Sequence, residues 1–289
     1  MSSFRYALCS SRPAILVDEM TLIGFLIFVG VGCAVGFLAG FFGVGGGILM
    51  VPLLVFSYEQ SGVPPLVLTH IAIGTSLFVI IFASLMSAYQ HGKQGNIDWH
   101  SVFMLGSSSA LTAFVTTKLA AWLSGRHLQI VFGLIIMASA IKMLTESKAK
   151  AQKKLELSST PSAFALIGVG LAAGIVAALA GVGGAIVTIP MMYYFLNMPL
   201  KLAIGTSSAT IVITALFSVF GYILNGIGRA GLPEWSLGFV DLQRGAALAI
   251  GTILMARVGA YVSFKTQPFR LKKLFALFVI LVSIYMLVK

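Results

Sequence analysis

Gly43-Val44-Gly45-Gly46-Gly47 and, 138 positions later, Gly181-Val182-Gly183-Gly184-Ala185 each interrupt a long apolar run and open a short apolar segment. Glycine is unfavourable in a helix interior, so each cluster marks a place where a helix is broken. The same offset of 138 superposes Gly30 on Gly168, Gly32 on Gly170, Ala34 on Ala172, Gly36 on Gly174, Ile48 on Ile186 and Pro52 on Pro190. Further on, Ala72-Ile73-Gly74-Thr75-Ser76 recurs as Ala203-Ile204-Gly205-Thr206-Ser207 at an offset of 131, the connection between the two motifs being seven residues shorter in the second copy. Phe132 with Met143-Leu144 matches Phe275 with Met286-Leu287 at an offset of 143. Ordered matches of this kind identify an internal duplication.

The solvent of this duplicated unit is lipid. Of the 289 residues 58% are hydrophobic and only 9% charged, too little polar surface to cover a water-soluble globule. A membrane helix needs about 20 predominantly apolar residues. Such runs lie at 22–42, 66–90, 101–123, 128–145, 162–180, 202–224, 242–262 and 271–288. They are apolar all round rather than alternating, which excludes a β-barrel. The expected fold is therefore an all-α polytopic membrane protein. An N-terminal extension (1–20) is not patterned as a signal peptide. It precedes a first repeat (21–145), a Lys/Glu/Ser/Thr-rich linker (146–160) and a second repeat (161–289).

The apolar segment from Gly47 to Ser57 is about eleven residues, about 16 Å as a helix and roughly half of a hydrocarbon core of about 30 Å. The counterpart, 185–196, is similarly short. Either segment fits a re-entrant half-helix or a tilted crossing. Pro52 and Pro190 are expected to kink or end the short helices. Each repeat then consists of a glycine-broken helix pair followed by three spans. Eight of the 19 basic residues fall in 148–154 and 265–273, the bias of cytoplasmic loops. The net charge of +11 is thus a membrane signature and calls for no nucleic acid. Counting spans outward from a cytoplasmic linker puts both chain ends outside, so each repeat crosses an odd number of times and the two have opposite topology, as in many secondary transporters.

The site candidates follow from this architecture. Helices that begin at Gly43, Gly45, Gly46 and Gly47 and at Gly181, Gly183 and Gly184 offer unpaired N–H groups and a partial positive charge to an anion near the midplane. Close helix packing is the competing use of such glycines. The hydroxyls of Thr75, Ser76, Thr206 and Ser207 donate without burying a charge, or else bond their own helices. Arg257 is the deepest cation in an apolar run, with snorkelling as its alternative. His70 and Lys201 match at the 131 offset and mark the starts of equivalent helices. No acidic residue lies within an apolar run, so cation or proton carriage through a midplane carboxylate has no candidate. Nothing in the sequence has the spacing of a hydrolase, a nucleotide-binding loop or a metal site, and Cys9 and Cys33 form no disulfide framework. No cofactor is expected and no enzymatic role; the partners are the bilayer and a small anion.

At Gly43-Val44-Gly45-Gly46-Gly47 with Pro52 and Ala72-x-Gly74-Thr75-Ser76, and at their second appearance in Gly181 to Pro190 and Ala203 to Ser207, the chain resembles the sulfite exporter TauE/SafE family, a likeness that extends from about Gly24 to Val288. The resemblance implies transport of a sulfur-containing anion such as sulfite or an organosulfonate, usually outward, across a bacterial inner membrane. Ala185 stands where the first copy has Gly47, so the half-sites are not identical. An anion-selective channel lined by the same broken helices is the alternative to a carrier.

The charge bias makes a direct prediction. Single cysteines introduced at Ser3 and Ser158, with Cys9 and Cys33 replaced, will be labelled from opposite faces of the membrane. Labelling of both from one face would exclude opposite topology for the repeats.

Overall fold

The computed structural model of the chain describes residues 22–120, 137, 141 and 162–288. The N-terminal extension, the apolar run at 128–145 apart from Met137 and Ile141, and the linker at 146–160 lie outside these. The described residues form helices α1 (Leu22–Phe42), α2 (Gly47–Gln60), α3 (Pro65–Lys93), α4 (Trp99–Ala120), α5 (Ala163–Ala180), α6 (Ala185–Tyr194), α7 (Leu200–Gly226), α8 (Leu242–Lys265) and α9 (Pro268–Val288). A two-stranded hairpin, β1 (Ser236–Leu237) with β2 (Val240–Asp241), precedes α8. Five of the helices, α1, α3, α5, α7 and α8, are long and apolar enough to cross a membrane. Large apolar side chains such as Leu22, Leu66, Phe103, Phe164 and Leu254 face outward, as they must when the surroundings are lipid. The fold is that of a multi-pass α-helical membrane protein.

Close backbone packing holds it together. Along α1, a Cβ added at Gly32, Gly36 or Gly40 would collide with the backbone at Leu248, Thr252 or Ala256 of α8; Gly251 and Gly259 of α8 abut the backbone of α1 in return. Along α5, Gly170 and Gly174 abut Leu105 and Ser109 of α4 in the same way. Gly170 and Gly174 are the duplicates of Gly32 and Gly36. Leu105 and Ser109 stand 143 positions before Leu248 and Thr252. The first helix of each copy therefore packs on the fourth element of the other. Without a hydrophobic force between helices in lipid, this close approach is what dispersion and lipid exclusion can reward.

The contacts also answer how the short helices run. Gly32, Gly36 and Gly40 meet successively later residues of α8, so α1 runs parallel to α8, away from its N-terminus. Yet Tyr58 and Ser61, at the far end of α2, bond Asp241 and Arg244 at that N-terminus. α2 thus returns to the end from which α1 set out. α5 likewise runs parallel to α4. The chain leaving α6 reaches α7, where Thr206 and Gly205 contact Asp98 and Asn96 just ahead of α4. Both short helices re-enter. Pro52 and Pro190 lie inside them and end neither. The short helices differ in length, 14 residues against 10. The seven-residue difference read as a shorter connection is instead about one helical turn in α2 and one at the start of α3.

Substitution at these glycines tests the packing. Gly40→Val places a side chain into the backbone of α8; overpacking costs about 1–3 kcal/mol and more when backbone is in the way, so its melting temperature in detergent will fall sharply. Gly30, with nothing within reach of an added Cβ, is the control: Gly30→Ala will be neutral or stabilising by about 0.5–1 kcal/mol.

Candidate functional site

The two glycine clusters adopt one conformation. Gly43, Gly45 and Gly46 have φ of 68, 76 and 81°, and Gly181, Gly183 and Gly184 have 66, 75 and 82°. Three left-handed residues out of four turn the chain back on itself, which a residue with a Cβ does only under strain. Both clusters are buried. Gly46 and Gly184 are the N-caps of α2 and α6, and as glycines neither provides a side-chain acceptor for the N–H groups of the first turn.

The breaks meet. A Cβ on Gly47 would strike the carbonyl oxygen of Gly181 and lie 2.7 Å from Val182 Cα. One side chain, Ile80 of α3, lies against both clusters: it stands 2.9 Å from the Cβ position of Gly45, 2.7 Å from that of Gly47 and 3.2 Å from that of Gly183. Ile211 of α7, the duplicate of Ile80, closes on Gly183 at 2.8 Å. Each break also rests on the Gly-Thr-Ser helix of the other copy. Gly43 packs on Ile204 and Ser208 of α7, and Gly181 on Ile73 of α3. The starts of two half-helices, α2 and α6, thus share one neighbourhood, a geometry in which backbone N–H groups and two helix dipoles act together on a negative charge.

The hydroxyls divide by role. Ser76 Oγ donates to Gly181 O at 2.9 Å and so braces the second break. Ser207, its duplicate, is fully buried and has no hydrogen-bond partner. Thr75 Oγ1 accepts from the backbone N–H of Asp241 at 2.9 Å and shares a bond with Tyr58 Oη at 3.2 Å. Thr206 Oγ1 accepts from the backbone N–H of Asp98 at 3.0 Å. Both threonines therefore tether the turn that enters α8 or α4. Gly74 and Gly205, one residue earlier, let Phe239 O and Asn96 O approach. Arg257 is exposed, 5.9 Å from the Tyr89 ring centroid, and joins neither break. His70 stacks on Phe239 at 5.2 Å, while Lys201 donates to Phe264 O at 2.6 Å.

Sequence reasoning missed the buried Asp241. It caps α8 by accepting from the N–H groups of Gln243 and Arg244, pairs with the Arg244 guanidinium at 3.0 Å and accepts from Tyr58 Oη at 3.2 Å. Arg244 also donates to Ser61 Oγ at 2.7 Å and lies over the Tyr58 ring. The cluster locks the end of α2 to α3 and α8. A signal for it existed: Asp98 and Asp241 match at the 143 offset. Asp98 keeps the capping role, accepting from His100 N and Ser101 Oγ.

The family model described as Sulfite exporter TauE/SafE matches residues 28–286. A probable membrane transporter protein of Haemophilus influenzae is 32% identical over 259 residues, covering 90% of this chain and 96% of that one. One of Methanocaldococcus jannaschii is 29% identical, covering 93% and 97%. Sulfite exporter TauE/SafE family protein 5 of Arabidopsis thaliana is 36% identical over 113 residues, 37% of this chain and 23% of that protein. No solved structure matches.

The tethers give a prediction. Thr75→Val leaves the buried Asp241 N–H without an acceptor, and Thr206→Val does the same to the half-buried N–H of Asp98. An unsatisfied buried donor costs about 1–3 kcal/mol, so each variant will melt measurably lower in detergent without any ligand. Unchanged melting of both would show that these hydroxyls do not hold the turns.

Proposed function

We propose, from the premise that this chain belongs to the sulfite exporter TauE/SafE family of membrane transporters, that it is a secondary transporter of a small sulfur-containing oxyanion, sulfite or an organosulfonate, with the anion held where the two glycine breaks meet. The observation that carries this reading is the approach of Gly47 to Gly181 and Val182, with Ile80 against both clusters. In this reading the first-turn N–H groups of α2 and α6 bind the anion, and Ser207 adds a hydroxyl. Thr75, Thr206 and Ser76 position the surrounding backbone. The wall of Ile80 and Ile211 offers no hydrogen bond and no countercharge, so the anion is held by dipoles rather than by a fixed cation and is not trapped.

Alternating access then moves the two copies about the shared site. The reciprocal packing of α1 on α8 and α5 on α4 supports two copies of opposite orientation. The ends of α3 and α8 and the start of α7, which carry Lys93, Lys265 and Lys201, gather on one side of the molecule, as the bond from Lys201 to Phe264 O indicates. We assign that side to the cytoplasm of a bacterial inner membrane. Outward movement of a monovalent anion from a negative-inside cell is favoured by about 2.3 kcal/mol per 100 mV, so export needs no coupled cation.

Reconstituted liposomes loaded in turn with sulfite, thiosulfate, taurine, sulfate and chloride test the reading. The parent protein will give saturable flux of a sulfur oxyanion, without single-channel currents. Gly45→Ala and Gly183→Ala, which add a Cβ at a left-handed residue facing Ile80 or Ile211, will lower that flux at least ten-fold while folded protein is recovered. Undiminished flux in both variants would reduce the breaks to packing devices.

A further inference from the structure

We propose that Ser84, in the middle of α3, donates a hydrogen bond to the transported anion and makes the first glycine break the stronger half of the site. The inference rests on the anion site proposed above and adds a residue that no motif marks. Ser84 is 1% exposed and its Oγ has no partner. A buried hydroxyl on a helix ordinarily bonds the carbonyl one turn earlier. Ser208, Thr210, Thr214 and Ser218 on α7 all do so, to Ile204 O, Thr206 O, Thr210 O and Thr214 O. Ser87, one turn beyond Ser84, pairs with Ser208. Ser84 makes neither kind of bond, although desolvating a donor without a partner is unfavourable.

Its surroundings say what the partner is. Ser84 Oγ is 3.2 Å from the point a Gly45 Cβ would occupy, and Ile80, one turn before it on the same face, touches Gly45, Gly47 and Gly183. The hydroxyl is therefore aimed at the first break, beside the start of α2. A group that fits there accepts hydrogen bonds, since N–H and O–H donors converge on it, and an oxyanion does so with several oxygens at once. The second copy has no equivalent donor. At the 131 offset Ser84 corresponds to Ala215, which is fully buried. Ala185 in place of Gly47 already made the halves unequal in sequence, and Ser84 makes them unequal in donors.

The test uses radiolabelled sulfite in reconstituted liposomes and melting of the purified protein in detergent. Ser84→Ala will raise the half-saturating sulfite concentration about ten-fold and weaken stabilisation by sulfite. Without sulfite it will melt at the parent temperature or above, because an unsatisfied hydroxyl has been removed. Ser84→Thr, which keeps the donor, will stay within about three-fold of the parent. If Ser84→Ala has the parent's half-saturation, or melts lower without sulfite, Ser84 is structural and the proposal fails. That failure is distinguishable from failure of the wider reading. A parent that moves sulfite and loses flux in Gly45→Ala and Gly183→Ala retains the site without Ser84, whereas a parent that moves none of the sulfur anions removes both.

Discussion

A chain that reverses direction inside hydrocarbon must find protein partners for every peptide group it frees from a helix. The rest of this molecule is arranged around that constraint. The two reversals occur at Gly43–Gly46 and Gly181–Gly184, each is buried, and each is covered by the Gly-Thr-Ser helix of the opposite copy. Glycine is required at three positions of each because φ is positive there, and the same glycines leave room for Ile204, Val35 and Ile80 to close on the backbone. The first two N–H groups of α2 and of α6 have no acceptor within their own helix, while Leu49 and Val187 already bond back to Gly46 O and Gly184 O. In the reading proposed above, these first N–H groups are the donors that a desolvated anion satisfies.

The supports around that place are matched in geometry but not in chemistry. Thr75 and Thr206 make the same bond to the N–H of equivalent aspartates. Beyond this, the Asp241 end gains Arg244, Tyr58 and Ser61, while the Asp98 end has only Ser101 and local amides. A partly buried ion pair with satisfied hydrogen bonds resists separation more than a hydroxyl cap does. One end of the molecule is thus clamped more firmly than the other, which under the alternating access proposed above would populate the two states unequally.

Much of the architecture was legible in the sequence because membrane helices are written as long apolar runs and duplication writes its motifs twice. Among the described residues the helix limits fall within a few residues of the runs, and the breaks lie at the predicted clusters. Re-entry of α2 and α6 was not legible: eleven apolar residues specify a length and no direction, and the direction is set by Tyr58 and Ser61 reaching α8. The Gly-Thr-Ser motif was visible, but a threonine that holds a loop and one that meets a ligand carry the same letter. Ser84 had no signal at all. A lone serine in an apolar run becomes informative only when its neighbours show that its hydroxyl has nowhere to bond. Arg257 shows the reverse, a charge that draws attention in the sequence and lies exposed in the structure.

The crossed pairing of helices has a consequence for how the protein is made. Gly170 on α5 finds Leu105 on α4 already synthesised, 65 positions earlier, whereas Gly32 on α1 has to wait for Leu248 on α8, 216 positions later. At about 5–20 residues per second, the small-residue face of α1 stands against lipid for roughly ten to forty seconds before its partner exists. The first repeat is therefore not a folding unit. During biogenesis α1 and its glycine break form a guest in search of a host, open to capture by another nascent chain or by an insertion factor until α8 arrives to claim it.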